Sequence, residues 1–269
     1  MSGIDGGAPR PSVFLVISYD GEPFHGFQRQ EGLETVQGCL EAALATVLRR
    51  QVTISGAGRT DSGVHALGQV VSFEHDSSDP DLETIRRSVS ALAAPAIAVR
   101  EAWLAHPGSD ARFSASGREY RYRIVNSRVP PVALRHVAWW VKHPLDTNRM
   151  RQAAAHLVGK HDFASFCVTQ SSREKHTVRT LLDIGFEEVN EVGEDCLIVR
   201  IVGPAFLHSM IRIIVGTLVE VGKGRRNPDE MERLLAARER AAAGQTAPAH
   251  GLTFHAVTYP PDIRIVQTD

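Results

Sequence analysis

The chain is short of several features that usually announce a class of protein. It has three cysteines in 269 residues, Cys39, Cys167 and Cys196, far apart and with no Cys-x-x-Cys pair, so neither a disulfide framework nor a cysteine zinc site is indicated. The histidines do not organise either. His156 and His161, like His250 and His255, are five apart, and neither pair sits in a His-Glu-x-x-His or His-x-Glu context; no metal and no organic cofactor is expected. No run approaches the roughly 18 apolar residues that a membrane span requires. Met1 to Pro11 is rich in glycine and proline and lacks a signal peptide's apolar core. The expected location is the cytoplasm, with no membrane partner. Excess charge of one sign is missing too: 30 Lys and Arg against 31 Asp and Glu leave a formal charge of −1. No whole-protein field therefore advertises a polyanion, and any site for one must be local.

With 43% hydrophobic residues, the chain can bury a core large enough for one large or two small domains. Val13 to Tyr19 reads as a buried strand and Thr35 to Arg49 as an amphipathic helix carrying Val36, Leu40, Ala43, Val47 and Leu48 on one side. Val52 to Ala57 and Leu67 to Phe73 read as strands, Asp81 to Ala93 as a helix and Ile97 to Trp103 as a strand. That order, β-α-β-β-α-β, is a ferredoxin-like unit. After Ala111 it begins again. Tyr120 to Val125 reads as a strand, Asp146 to Val158 as a helix, and Leu181 to Glu188 and Cys196 to Val202 as paired strands. Phe206 to Val221 and Pro228 to Ala237 read as helices and Thr253 to Tyr259 as a closing strand. No letter-level repeat accompanies this duplication. The expected class is α+β: two ferredoxin-like units forming an extended antiparallel sheet, with helices on one face and a cleft on the other. The expected divisions are a flexible tail over residues 1–11, an N-terminal ferredoxin-like half over 12–108, a second ferredoxin-like half with insertions over 109–262, and a tail over 263–269.

Three places in the chain could carry chemistry. The run Gly58-Arg59-Thr60-Asp61-Ser62-Gly63-Val64-His65-Ala66 sets a carboxylate beside an arginine and a threonine in a glycine-framed loop. Such a loop lets backbone and carboxylate approach a ligand, although a hairpin turn with local side-chain to backbone bonds has the same composition. The helix from Phe206 is apolar almost all round, with His208, Ser209, Arg212 and Gly216 along its remaining stripe. A guanidinium there needs a carboxylate, which a local ion pair with Glu220 or a more distant acid would supply. Lys223, Arg225 and Arg226, interleaved with Gly222 and Gly224, make a loop suited to gripping phosphates. Arg49-Arg50 and the stretch holding Arg118, Arg121, Arg123 and Arg128 are further basic candidates, with solvated helix ends the simpler account of the first.

The glycine-framed run resembles the signature of the TruA-type tRNA pseudouridine synthases, and other blocks match that family in order. They are Ser18-Tyr19-Asp20-Gly21, Phe24 to Gln30, Thr35-Val36-Gln37, Ala111 to Ala115, Arg118 to Tyr122, His161 to Phe166, Phe206 to Arg212, and His250-Gly251-Leu252. The chain departs from the pattern at Ser90 to Ile97, where the family has an Asn-rich turn and Leu-Pro-x-Asp. The resemblance implies a pseudo-twofold fold with the active site in a cleft between the halves, Asp61 as the catalytic residue and Arg212 as its partner. It also implies Tyr120 as the platform for the detached base, Arg59 as the residue entering the space that the flipped base leaves, and Leu252 as an apolar pocket residue. Tyr122, two residues on and on the same face, is the alternative to Tyr120. The implied substrate is the anticodon stem-loop of tRNA, modified at uridines 38, 39 and 40, and the implied assembly is a homodimer.

The reaction breaks the bond from uracil N1 to ribose C1′, turns the base, and joins its C5 to the same carbon. A positioned carboxylate can add to the sugar through an oxocarbenium-like centre or can remove a sugar proton. A bidentate arginine would hold that carboxylate in one orientation, and the uracil must first leave its stack. The reading from another class is a non-catalytic RNA-binding protein with two ferredoxin-like units. Aromatics at 6% and a loop centred on a carboxylate speak against it. Release of free uracil would instead mark a nucleoside hydrolase or phosphorylase.

Overall fold

An apolar stretch within a strand is covered on both sides, and residues 13–17 of β1 (Ser12–Tyr19) form such a stretch: Val13, Phe14, Leu15 and Ile17 are fully buried. In this computed structural model, which describes residues 10–168 and 176–265, the chain divides into two compact units. One takes residues up to Ser62, Ala66–Ser116 and the chain from Val257 onward; the other takes Gly63–His65 and Gly117–Ala256.

In the first unit β1 is followed by α1 (Val36–Leu48), β2 (Ser55–Gly56), β3 (His65–Glu74), α2 (Leu82–Ala93) and β4 (Ile97–Ala105). β1 pairs antiparallel with both β3 and β4, and β2 with β3, which orders the strands β4-β1-β3-β2. Thr35 caps α1 by accepting from the Gly38 amide, and Asp81 caps α2 by accepting from Thr84. Ile85, Val89 and Ala93 give α2 its buried stripe. A second small core lies around Phe14, whose ring stacks on Trp103 at 4.4 Å and meets Tyr259 edge-on at 5.5 Å.

In the second unit β5 (Gly117–Val125), α3 (Thr147–Ala155), β9 (Asp183–Glu191), β10 (Glu194–Gly203), α4 (Met210–Gly222) and β11 (Leu252–Thr258) repeat the series. Strand order repeats as well, β11-β5-β10-β9, with β10 antiparallel to β5 and to β9. The insertions are β6 (Trp139–Trp140), the antiparallel pair β7 (Gly159–Asp162) and β8 (Val178–Leu181), and the helix α5 (Glu230–Ala237). The fold is therefore α+β on a largely antiparallel sheet, with the ferredoxin-like order in each unit.

Several boundaries differ from the sequence expectation, for local reasons. Val52 to Ala57 yields only the two-residue β2, because the Ile54 amide donates to the Glu41 carboxylate of α1, at 3.1 Å, instead of to a neighbouring strand. The helix expected from Phe206 begins at Met210: Ser209 is left-handed, with φ +56°, and the Met210 amide bonds the Leu207 carbonyl as a turn. His208 and Ser209 thus precede α4. The strand expected over Leu181 to Glu188 breaks at Leu182, whose amide bonds the Val202 carbonyl, so that β8 and β9 serve different partners. Of the expected tails, residues 1–9 and 266–269 lie outside the described residues.

Candidate active site

In the first unit the glycine-framed loop is held from beneath by side chains of the sheet. Tyr19, at the end of β1, shares a 2.7 Å hydrogen bond between its hydroxyl and Thr60 Oγ1. Burial pushes that phenol well above its ordinary pKa, with hydrogen bonds to Thr60 and Gln69 opposing the shift. Gln69 of β3 donates from Nε2 to the Gly58 carbonyl at 2.7 Å, and its Oε1 accepts from Val70. The loop is held from a second side as well. The Phe27 amide donates to the Thr60 carbonyl at 3.1 Å, and Ser62 Oγ donates to the Phe24 carbonyl at 3.0 Å. Gly26, at φ +94°, is needed there: a Cβ would meet the Thr60 carbonyl at 3.0 Å and the Ser62 amide at 3.4 Å. Thr60 is buried, Asp61 partly exposed and Arg59 exposed. Asp61 therefore sits on a stiff turn with a buried residue immediately before it.

The segment that braces this loop is itself anchored to α1. Gln37 accepts from the Arg29 amide at 3.0 Å and donates to Glu41 at 2.9 Å, while Arg29 pairs with the buried Glu41 at 2.8 Å. The sequence reading named none of Tyr19, Gln69, Gln37 or Glu41 as site residues. A tyrosine closing an apolar strand and a glutamine inside one were the available signals.

In the second unit Tyr122, Arg212, Gly216, Gly251 and Leu252 lie in or against the segment from Gln245 to Leu252. The Tyr122 ring is fully buried on β5, and its hydroxyl donates to the Pro248 carbonyl at 2.8 Å. Burial raises this phenol's pKa, and the nearby positive charge of Arg212 acts in the opposite direction. Arg212, on α4, donates from Nε to the Ala247 carbonyl at 2.8 Å, and the Ala247 amide returns a bond to the Arg212 carbonyl at 3.0 Å. Gly216, one turn further along α4, has no room for a Cβ because the Gln245 carbonyl occupies the space. Gly251 lies against the Tyr122 ring, where a Cβ would fall 2.6 Å from the ring carbon. Gly63, at φ +76°, packs toward Ala249. Leu252 is buried at the start of β11.

Tyr120 is buried too, tilted against Phe254 at 4.5 Å and edge-on to Phe206 at 5.2 Å. Both tyrosines thus share the buried face of β5. Tyr122 is committed to Pro248 and Gly251, whereas Tyr120 belongs to an aromatic group of three rings, which is a better base for stacking.

The basic candidates fare differently from one another. Arg50 is taken by Asp79, with bonds of 2.9 and 2.7 Å, Arg121 by Glu119 at 2.7 Å and Arg123 by Glu191 at 2.8 Å. In the loop after α4, Arg226 pairs with Glu220 and approaches Glu230 at 3.9 Å. Lys223 lies over the Trp139 ring at 5.8 Å, and burial lowers its ammonium's pKa, helped by Arg225. Arg225 is exposed.

Two compact units, a braced loop ending in Asp61 and an arginine fixed on a buried helix describe a scaffold built to hold a few polar groups still. The family model described as tRNA pseudouridine synthase matches residues 15–107 and 153–260. Curated relatives named tRNA pseudouridine synthase A are similar over most of the chain. The protein of Bacillus velezensis is 43% identical over 92% of this chain and 98% of its own. That of Bacillus subtilis is 44% identical over 90% and 97%, and that of Thermotoga petrophila 39% over 92% and 99%. The matched residues include the loop with Asp61, α4 with Arg212, and β11, and on this evidence the chain belongs to the tRNA pseudouridine synthase A family.

Proposed function

We propose that this enzyme isomerises uridine to pseudouridine at positions 38, 39 and 40 of the tRNA anticodon arm, with Asp61 as the catalytic residue. The observation that carries the proposal is the bracing of the Asp61 turn. Four side-chain or backbone bonds from Tyr19, Gln69, Phe27 and Ser62 fix the turn around a carboxylate that is itself partly exposed. A carboxylate displayed on a rigid turn suits a group that must meet C1′ or a sugar proton at one geometry.

Arg212 is the proposed partner of Asp61. Chain connectivity supports this: Asp61 is two residues from Gly63, which packs toward Ala249, and Arg212 is bonded in both directions to Ala247. Tyr120, backed by Phe254 and Phe206, is the proposed platform for the detached uracil, Leu252 the apolar wall, and Arg59 the side chain that replaces the flipped base. The proposal includes a cytoplasmic homodimer. Incubating the protein with unmodified tRNA and mapping pseudouridines chemically tests activity and site choice together. Product confined to another arm would overturn the site assignment, and free uracil would overturn the reaction.

For the loop after α4, the proposal is that Lys223, Arg225 and Arg226 face tRNA phosphates. Neutralising all three should weaken tRNA binding and flatten its dependence on salt, each lost contact lowering the slope of log affinity against log salt by roughly 0.7 to 0.9. Arg226 is held by Glu220 and Lys223 lies over Trp139, whereas Arg225 is exposed, so Arg225→Gln by itself should lower the slope by one such increment. A slope unaltered in the triple variant would reduce the loop to a solvated turn.

A further inference from the structure

The block Ala111 to Ala115 has no role in the site described above, yet it presents the most exposed large apolar side chain among the described residues. Phe113 has 80% of its surface in water. Its backbone is far from loose. Asp110 Oδ1 accepts from the amides of Arg112 at 2.7 Å and Phe113 at 3.0 Å, the Ser114 amide bonds the Asp110 carbonyl at 3.0 Å, and Ser114 Oγ accepts from Asp110 at 3.1 Å. Ala111, fully buried, is clamped between Ser72 Oγ at 2.8 Å and the Tyr259 hydroxyl at 2.7 Å. A turn tied to β3 and Tyr259 therefore holds a phenyl ring outward. The guanidinium of Arg112, also exposed, lies over that ring with Cζ 5.3 Å from its centroid.

An outward aromatic ring backed by a guanidinium is the chemistry that receives an unstacked nucleobase and its neighbouring phosphate. A second copy of this chain would call for a broader apolar surround, and the turn offers Ser109, Asp110 and Ser114 instead. We infer that Phe113 and Arg112 form a stacking site for an unpaired base of the RNA substrate, Phe113 taking the base and Arg112 the adjacent phosphate. The inference rests on tRNA being the substrate and adds to that reading a contact outside the Asp61 site.

The test is equilibrium tRNA binding by the full-length protein over a series of salt concentrations, with sedimentation of each variant. Phe113→Ala should weaken binding by about 5- to 100-fold, the range expected for one stacked base, with an unchanged salt slope because no phosphate contact is lost. Phe113→Tyr should bind like the parent. Arg112→Gln should lower the slope by roughly 0.7 to 0.9. A Phe113→Ala protein that binds within about twofold of the parent overturns the inference, as does Phe113→Tyr failing alongside Phe113→Ala. A changed sedimentation coefficient for Phe113→Ala at unchanged tRNA affinity would assign the ring to contact between copies and would equally overturn it. If the parent protein itself does not bind tRNA, the substrate reading falls first, and that outcome is distinct from loss confined to the variants.

Discussion

Asp61→Ala should lower pseudouridine formation to background, a fall on the order of 10⁴-fold or more, as expected when a group that reacts with substrate is removed. The same change should leave tRNA affinity within about threefold, since phosphate contacts dominate such binding and a carboxylate contributes nothing favourable to them. Folding should survive as well. The turn is held through the Thr60 hydroxyl and carbonyl, the Gly58 carbonyl and the Ser62 hydroxyl, none of which belongs to Asp61. Asp61→Asn keeps the volume and loses only the charge, so it should be equally inactive. The measurement is release of tritium from C5 of labelled uridine, with binding and thermal unfolding followed on the same preparations. Appreciable turnover by the alanine variant would end the assignment of Asp61.

The second large effect concerns Arg212. Arg212→Met should remove most activity, and Arg212→Lys should retain a trace at most, because an ammonium keeps the charge but cannot present two parallel donors to one carboxylate. Loss of activity alone would not identify the partner, since Arg212 also donates to the Ala247 carbonyl and so supports the segment running to Leu252. A double-mutant cycle separates the two. The bond to Ala247 is lost from Arg212→Met in either background and cancels, whereas a bond to Asp61 is lost only while Asp61 is present. Unfolding of the four proteins should therefore give a coupling of about 1–3 kcal/mol between Arg212→Met and Asp61→Asn. Strict additivity would mean that Arg212 serves the Ala247 segment alone, and the pairing would have to be withdrawn.

Much of the architecture was legible because its signals are local. The uninterrupted apolar run of β1, Thr35 and Asp81 as caps, and the spacing of Ile85, Val89 and Ala93 on α2 each depend on residues within a turn or two of one another. The order of those elements carried the duplication, even though no letters repeat. Boundaries failed where a distant group intervened. Val52 to Ile54 reads as strand until the Glu41 carboxylate claims the Ile54 amide, and Phe206 to Ser209 reads as helix until Ser209 turns left-handed. The inserted strands β6, β7 and β8 were not foreseen, since a strand of two to four residues has too few alternations to show a period.

The site divides along the same line. Sequence by itself determined which residue types stand together, a carboxylate beside an arginine among glycines at Asp61 and an arginine on an apolar helix at Arg212, because those groupings are local in the chain. Tertiary structure alone decided which of them are held and which are spent. Tyr19 and Thr60, forty-one residues apart, meet only because β1 and β3 pair. Arg121 and Arg123 look like part of a polyanion-binding stretch in one dimension and are paired with Glu119 and Glu191 in three, and Arg50, which reads as a solvated helix end, is paired with Asp79. Phe113 looks like a core residue by composition and stands in water because Asp110, Ser72 and Tyr259 lock its turn outward. Burial and pairing are properties of the packed chain, and they depend on contacts whose sequence separation no local pattern encodes.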